Sequence, residues 1–325
     1  MNALRSLSAA AVWLALVMPG DAKDTNRIFV SNEQGQTITV LDGQSYSLIA
    51  SIKTGRRPRH LQFSTDKTRL YVACGDDNRI DVVDVEKLEV VDSIPDIDDP
   101  EVFDIDPGGH QLFVSNEDAG MLSIMDLSSK QLVKSIKVGP EPEGVIVTPD
   151  GRTALVASET ANLVHVIDIT IGEITKNVSV GSRPRRFAQT SDGAEIWVSA
   201  EVDGGVFVLD GLTYDVAQRI EFKPRGFRRE DITPVGVVLT RDGTTGYVAL
   251  GHANRIAVVN ARTKNVRDYI LAGKRPWGVR LSRDEKRLFV ANGGSDDITV
   301  IDAQVSKVIR SIPVGRNPNT IIVDD

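Results

Sequence analysis

The residues with the means to do chemistry recur at fixed positions along the chain. One position, directly after a proline, reads Arg59, Glu101, Glu143, Arg185, Val235, Trp277 and Asn319. Another reads Glu33, Gly75, Glu117, Glu159, Glu201, Gly251 and Gly293. Acid gathers on two neighbouring units at Glu101, Glu117, Glu143 and Glu159, with Asp98, Asp99 and Glu141 beside them. Basic groups flank that patch: Arg56, Arg57, Arg59 and His60 on one side, Arg183, Arg185 and Arg186 on the other. Carboxylates in such numbers suit a hard cation, because calcium takes six to eight oxygens at about 2.3–2.6 Å. A lanthanide ion of similar size suits the same donors, and the metal set is then Glu101, Glu117, Glu143 and Glu159. No calcium-loop spacing accompanies them. A mixed-sign rim equally suits a protein partner or a small anionic ligand, since complementary charge steers encounter and fixes register. For that reading the face comprises Arg59, His60, Glu101, Glu143, Arg185, Arg186 and Trp277. The third alternative is plain pairing of acid with base, about 0–1 kcal/mol for each exposed pair.

Catalytic constellations are sparse. There are four histidines. His60 and His252 fall near loop ends, where either could act as a general base, yet neither has a nucleophile or a second histidine at ligand spacing. Cys74 is the single cysteine, which excludes an internal disulfide, a cysteine-rich zinc site and C-x-x-C-H haem attachment. Trp277 offers a ring for ligand stacking. No catalytic residue is assigned, and a non-catalytic binding role is expected.

The elements that position these residues come from a repeat. Phe29-Val30-Ser31-Asn32, Tyr71-Val72-Ala73-Cys74 and Phe113-Val114-Ser115-Asn116 begin units 42 residues apart. Leu155, Trp197, Tyr247 and Phe289 continue the series, with one interval of 50. Asp42, Asp84, Asp126, Asp168, Asp210, Asn260 and Asp302 keep the same intervals, as do Pro58, Pro100, Pro142, Pro184, Pro234, Pro276 and Pro318. Three landmarks thus define seven units and one eight-residue insertion. That insertion, within Lys223–Asp231, carries Arg225, Arg228 and Arg229 to the proline rim.

Each unit holds four short runs rich in Val and Ile with alternating polar residues, which argues for strands. Asp-Gly and Gly-Gly turns join the first two runs. Four antiparallel strands per unit of this length predict an all-β, seven-bladed β-propeller. The chain starts on a second-type run and ends on a first-type run, Asn319–Val323, so the two ends are expected to share the closing blade.

Composition fits an ordinary globular protein. Of 325 residues, 38 are Lys or Arg and 45 Asp or Glu, for a net charge of −7. A folded acidic protein is a poor nucleic-acid binder. Residues 1–22 show a basic start, the apolar run Leu7–Met18 and a small-residue site at Gly20-Asp21-Ala22. This is the pattern of a secretory signal peptide, and the run is too short to span a bilayer permanently. The expected organisation is a signal peptide over 1–22 and one propeller domain over 23–325, exported to the periplasm, with no membrane span in the mature chain.

Units such as Leu112-Phe113-Val114-Ser115-Asn116, Ser123-Ile124-Met125-Asp126 and Ser135-Ile136-Lys137-Val138-Gly139 resemble the YVTN family of β-propeller repeats. Over residues 27–325, the order of features and the insertion resemble the PQQ-dependent catabolism-associated β-propeller proteins. The resemblance implies a periplasmic scaffold accessory to quinoprotein alcohol oxidation and its transport system. Its implied partner is a quinoprotein dehydrogenase, a cytochrome, a transporter component or a small ligand. It implies no catalytic residues, and the calcium or lanthanide ion considered above rests on the carboxylates alone. Some YVTN-like propellers are lactonases, which makes a hydrolase the alternative by analogy of fold.

Overall fold

A computed structural model describes residues 24–325. The expected signal peptide, residues 1–22, lies outside the described residues. Seven four-stranded antiparallel sheets follow one another around a ring. Blade two is typical: Pro58–Phe63 lies innermost, followed outward by Arg69–Cys74, Arg79–Asp84 and Glu89–Ile94. The expected sharing of the first blade is present, with the C-terminal strand Pro318–Asp324 pairing beside Arg27–Asn32. Ile321, Ile322 and Val323 of that strand are buried against the core. Among the described residues, no helix is long and apolar enough to cross a membrane.

The physical logic is local. Second and third strands are rich in apolar residues and are buried on both faces, as in Ile28–Ser31 and Ile38–Leu41. Outer strands expose most positions, as in Leu132–Lys137. Each third strand ends in a residue whose side chain organises the next turn. Asp42 Oδ1 accepts from the backbone N–H groups of Gln44 and Ser45 at 3.1 and 2.7 Å. Asn260 does the same for Arg262 and Thr263 at 3.0 and 3.1 Å, so the one departure from aspartate keeps the turn. The core is therefore a set of seven clusters wedged between neighbouring blades, such as the one around Trp197, Val248 and Leu250.

The inner strands share a distortion that matters for the site. In every blade but the sixth the pairing register shifts just after the proline, between Pro58 and Leu61 for example. Such a bulge adds a residue and re-aims its side chains. It also frees backbone groups that need partners, and serines of the repeat supply them. Ser115 Oγ accepts from Val102 N at 3.1 Å and lies 2.9 Å from Val102 O and 2.6 Å from Glu143 O on the next blade. Ser31 Oγ donates to Arg59 O at 2.6 Å, and Ser199 Oγ accepts from Arg186 N at 3.1 Å. The Val-Ser pair in the motif thus holds the backbone of the residues singled out for chemistry. The insertion shortens the sixth inner strand to Val237–Leu239.

Candidate functional site

The bulged residues sort into two layers. Four of the residues directly after the proline, Arg59, Glu101, Glu143 and Arg185, form a belt of ion pairs at the proline-loop end of the ring. Residues two and four positions after it line a central channel.

The belt has two halves. In the first, Arg59 Nη1 donates to Glu101 Oε2 at 2.5 Å, and Arg57 pairs with Asp99. Glu117 Oε2 lies 3.7 Å from both guanidiniums, and Glu33 lies 3.8 Å from Arg59. In the second half, Arg185 pairs with Glu143 and lies 2.8 Å from Glu159 and 2.7 Å from Glu201. Arg183 also pairs with Glu159, and Arg186 Nη1 donates to Glu143 Oε2 at 3.0 Å. Glu101 and Glu143 are fully buried, and Arg59, Arg185, Glu159 and Glu201 are nearly so. Burying charge is costly unless the charges pair well, and here each buried carboxylate faces at least one guanidinium.

Glu117 is the least satisfied member. Its Oε2 is buried without a hydrogen bond. Burial first, and the Glu101 charge second, push its carboxyl up to about 7. The four glutamates expected to hold a cation are thus divided between Arg57/Arg59 and Arg183/Arg185. Among the described residues no group of three His, Cys, Asp or Glu side chains has the arrangement of a metal site. The basic insertion does reach the same rim. Arg229 Nη2 lies 3.7 Å from Asp203, while Arg228 pairs with Glu230 at 2.9 Å within the insertion itself.

The channel layer holds a cavity of about 520 Å³ lined by His60, Gln62, Asp104, Arg186, Trp277, Arg280 and Thr320 among others. His60 packs edge-on against Phe103, ring centroids 4.8 Å apart. Burial, then the charges of Arg186 and Arg280, lower the His60 imidazole to about 3, so it is neutral at physiological pH. Arg186, pushed down to about 10 by burial, stays cationic. Its Nη2 is buried and unpartnered. Arg280 is exposed along the channel although protein surrounds it. Asp104 is fully used, accepting from Gln62 Nε2 and Val147 N at 2.8 Å each. Trp277 lies between two cations, Arg185 at 5.4 Å and Arg275 at 5.2 Å from its ring, and its indole N–H has no partner.

Of the seven residues expected on the binding face, Arg59, Glu101, Glu143 and Arg185 lie in the belt, while His60, Arg186 and Trp277 line the channel. Sequence reasoning missed Gln62, Asp104 and Arg280. A signal for them existed: at the fourth position after the proline they are the polar residues in a series completed by Ile146, Ala188, Val238 and Ile322.

Seven four-stranded sheets around a central channel define a seven-bladed β-propeller. The family described as lactonase, 7-bladed beta-propeller matches residues 139–310, more than half of the chain, and the protein belongs to it. A YNCE-like beta-propeller description matches residues 65–149. No curated protein matches the sequence significantly.

Solved structures with the same fold carry diverse names. The Pseudomonas aeruginosa periplasmic gluconolactonase PpgL is 20% identical with a TM-score of 0.77, covering 92% of this chain and 99% of its own. Hydrazine synthase of Kuenenia stuttgartiensis is 20% identical with a TM-score of 0.76, covering 91% and 99%. Dihydro-heme d1 dehydrogenase NirN is 16% identical with a TM-score of 0.71, covering 93% and 76%. Likeness at this level establishes the fold alone. Family membership nevertheless corrects one expectation. The non-catalytic scaffold accessory to PQQ-dependent alcohol oxidation gives way to the lactonase-like alternative, because the matching family is a lactonase family.

Proposed function

We propose that this propeller is a lactonase-like hydrolase that opens a sugar-type cyclic ester inside its central channel. The observation that carries the reading is the cavity in which a neutral, unbonded His60 faces the guanidiniums of Arg186 and Arg280. Membership in a lactonase family supports it.

The reaction balances simply. Water adds to the carbonyl carbon, the ring C–O bond breaks, and a water proton ends on the former ring oxygen, leaving a hydroxy acid. The His60 imidazole accepts that proton as water adds and returns it to the departing alkoxide. A guanidinium hydrogen-bonded to the carbonyl oxygen stabilises the charge that develops there. Trp277 gives the substrate ring an apolar wall. We propose further that the reaction takes place in the periplasm, on the support of the export pattern in residues 1–22.

The test is a pH-stat assay of acid release from glucono-δ-lactone and a panel of related sugar lactones. Acceleration over the spontaneous rate, lost by about 10²–10⁴-fold in His60→Ala, is expected. Hydrolysis no faster than the uncatalysed background across the panel overturns the reading.

A further inference from the structure

The loops at the proline end of the ring carry exposed charge that the belt does not use. Arg183, directly before its proline, shows how such a charge is normally answered. Its carbonyl accepts from Glu201 N at 2.8 Å, while its guanidinium pairs with Glu159 of the preceding blade and lies 3.8 Å from Glu201. Arg275 holds the same place in blade seven, its carbonyl accepting from Gly293 N at 3.0 Å, but the two equivalent positions there are Gly251 and Gly293. It is left exposed, stacked on Trp277 with no carboxylate. Blade four shows the opposite: Glu141 takes that place, and its neighbours at the equivalent positions are Glu117 and Glu159.

This surplus is sorted by sign. Around blade three the loops expose Asp96, Asp98, Asp118 and Glu141, and among the described residues none of the four has a cation within ion-pair distance. Arg225, Lys274, Arg275 and Arg316 are equally exposed and equally without a carboxylate, in the loops leading into blades six, seven and one. Asp296 is the one exposed acid without a cation in the loops of that basic sector, and it is taken up by Asn317 N at 2.8 Å. The acidic sector centres on blade three and the basic sector on the gap between blades six and seven. In a ring of seven those places face each other across the axis.

We propose that this end of the ring is the docking surface for a second copy of the chain, seated face to face about a two-fold axis. Opposite charges half a ring apart make the face complementary to itself. Turning a copy over about an axis between the sectors lays its basic loops on the acidic loops of the first, and the reverse contact forms at the same time. A contact of this kind closes on itself and uses one patch twice. Complementary charge fixes its register, and the like-on-like arrangement is disfavoured. Each chain carries −7, which opposes association at long range. At about 0.1 M salt the screening length is about 10 Å, so charges brought into contact are felt while the remoter surplus is damped. The docked copy covers the proline-loop mouth of the channel. Ligand traffic is left to the end bearing the Asp-Gly turns, where Phe63, Lys67 and Arg280 line both the central cavity and a second one of about 420 Å³.

Sedimentation velocity of the mature protein over a concentration series, at about 0.1 M and about 1 M salt, is the first measurement. The expected result is a reversible dimer at the lower salt and a monomer at the higher, where the screening length is only about 3 Å. Two charge-reversed variants locate the contact: Asp98→Lys with Asp118→Lys, and Arg225→Glu with Lys274→Glu. All four side chains are exposed and outside every ion pair, and circular dichroism checks each fold. Each variant alone should be monomeric, because like sectors then meet. An equimolar mixture should dimerise again, because an all-basic face then meets an all-acidic one. Parent protein that stays monomeric overturns the proposal and leaves the face to a different protein. So does a dimer that survives about 1 M salt, one that either folded variant retains, or one that mixing the variants fails to restore.

Discussion

Replacing the Glu117 carboxylate by an amide, E117Q, should stabilise this protein, by an amount that grows as pH rises from 4.5 to about 7. The carboxyl is half-buried beside the fully buried Glu101, and its Oε2 lacks a hydrogen bond. Its titration moves from 4.5 to about 7 on folding. In the unfolded chain the group loses its proton near 4.5, so between pH 4.5 and about 7 the native state binds more protons than the unfolded state. Stability then falls as pH rises through that window. The contribution is complete below pH 4.5 and gone above about pH 7. A displacement of this size corresponds to about 3 kcal/mol.

The amide would keep the shape of the side chain and remove its ionisation. Arg57 and Arg59 would still face Asp99, Glu101 and Glu33, so the guanidiniums stay answered. Urea denaturation of parent and E117Q at about pH 4 and about pH 8 is the assay. The expected outcome is near-identical stability at the acid end and a gain of about 3 kcal/mol for E117Q at the alkaline end. A variant less stable than the parent at the alkaline end would show that the Glu117 charge is needed by the arginines. A difference equal at both ends would show that Glu117 does not titrate in this window. Either result refutes the reasoning.

Two further outcomes follow from the belt and the ring. Arg185→Met leaves Glu143, Glu159 and Glu201 without their shared cation and should cost about 3–5 kcal/mol; unfolding as late as the parent would mean the belt is only decorative. Deleting residues 318–325 removes the strand that closes the first blade, with Ile321, Ile322 and Val323. At about 1.5–3 kcal/mol for each buried side chain, the loss of about 4.5–9 kcal/mol rivals the whole stability of a typical domain. Soluble, cooperatively melting truncated protein, seen by gel filtration and circular dichroism, would contradict it.

The ring was legible in the sequence because every determinant of a blade is local. Alternating apolar residues set the strands, Asp-Gly pairs set the turns, and the phase of the chain ends set the closure between Asn319–Val323 and Ile28–Asn32. A period of 42 residues repeats these short-range signals seven times, and each repetition confirms the others. The belt was partly legible, because Arg59, Glu101, Glu143 and Arg185 occupy one recurring position. What escaped was which charges answer one another. His60 and Arg280 are remote in the chain, and only ring closure brings both to one axis. In blades two to five the bulge after the proline sends one residue into the belt and the next into the channel, and neither composition nor period encodes that turn of the backbone. The sequence by itself determined seven blades and their closure, because strands and turns depend on near neighbours. Only the tertiary structure decided that Glu101 and Glu143 are buried in ion pairs while His60, Arg186 and Arg280 remain open to a ligand, because burial and pairing depend on what the other blades bring to the centre.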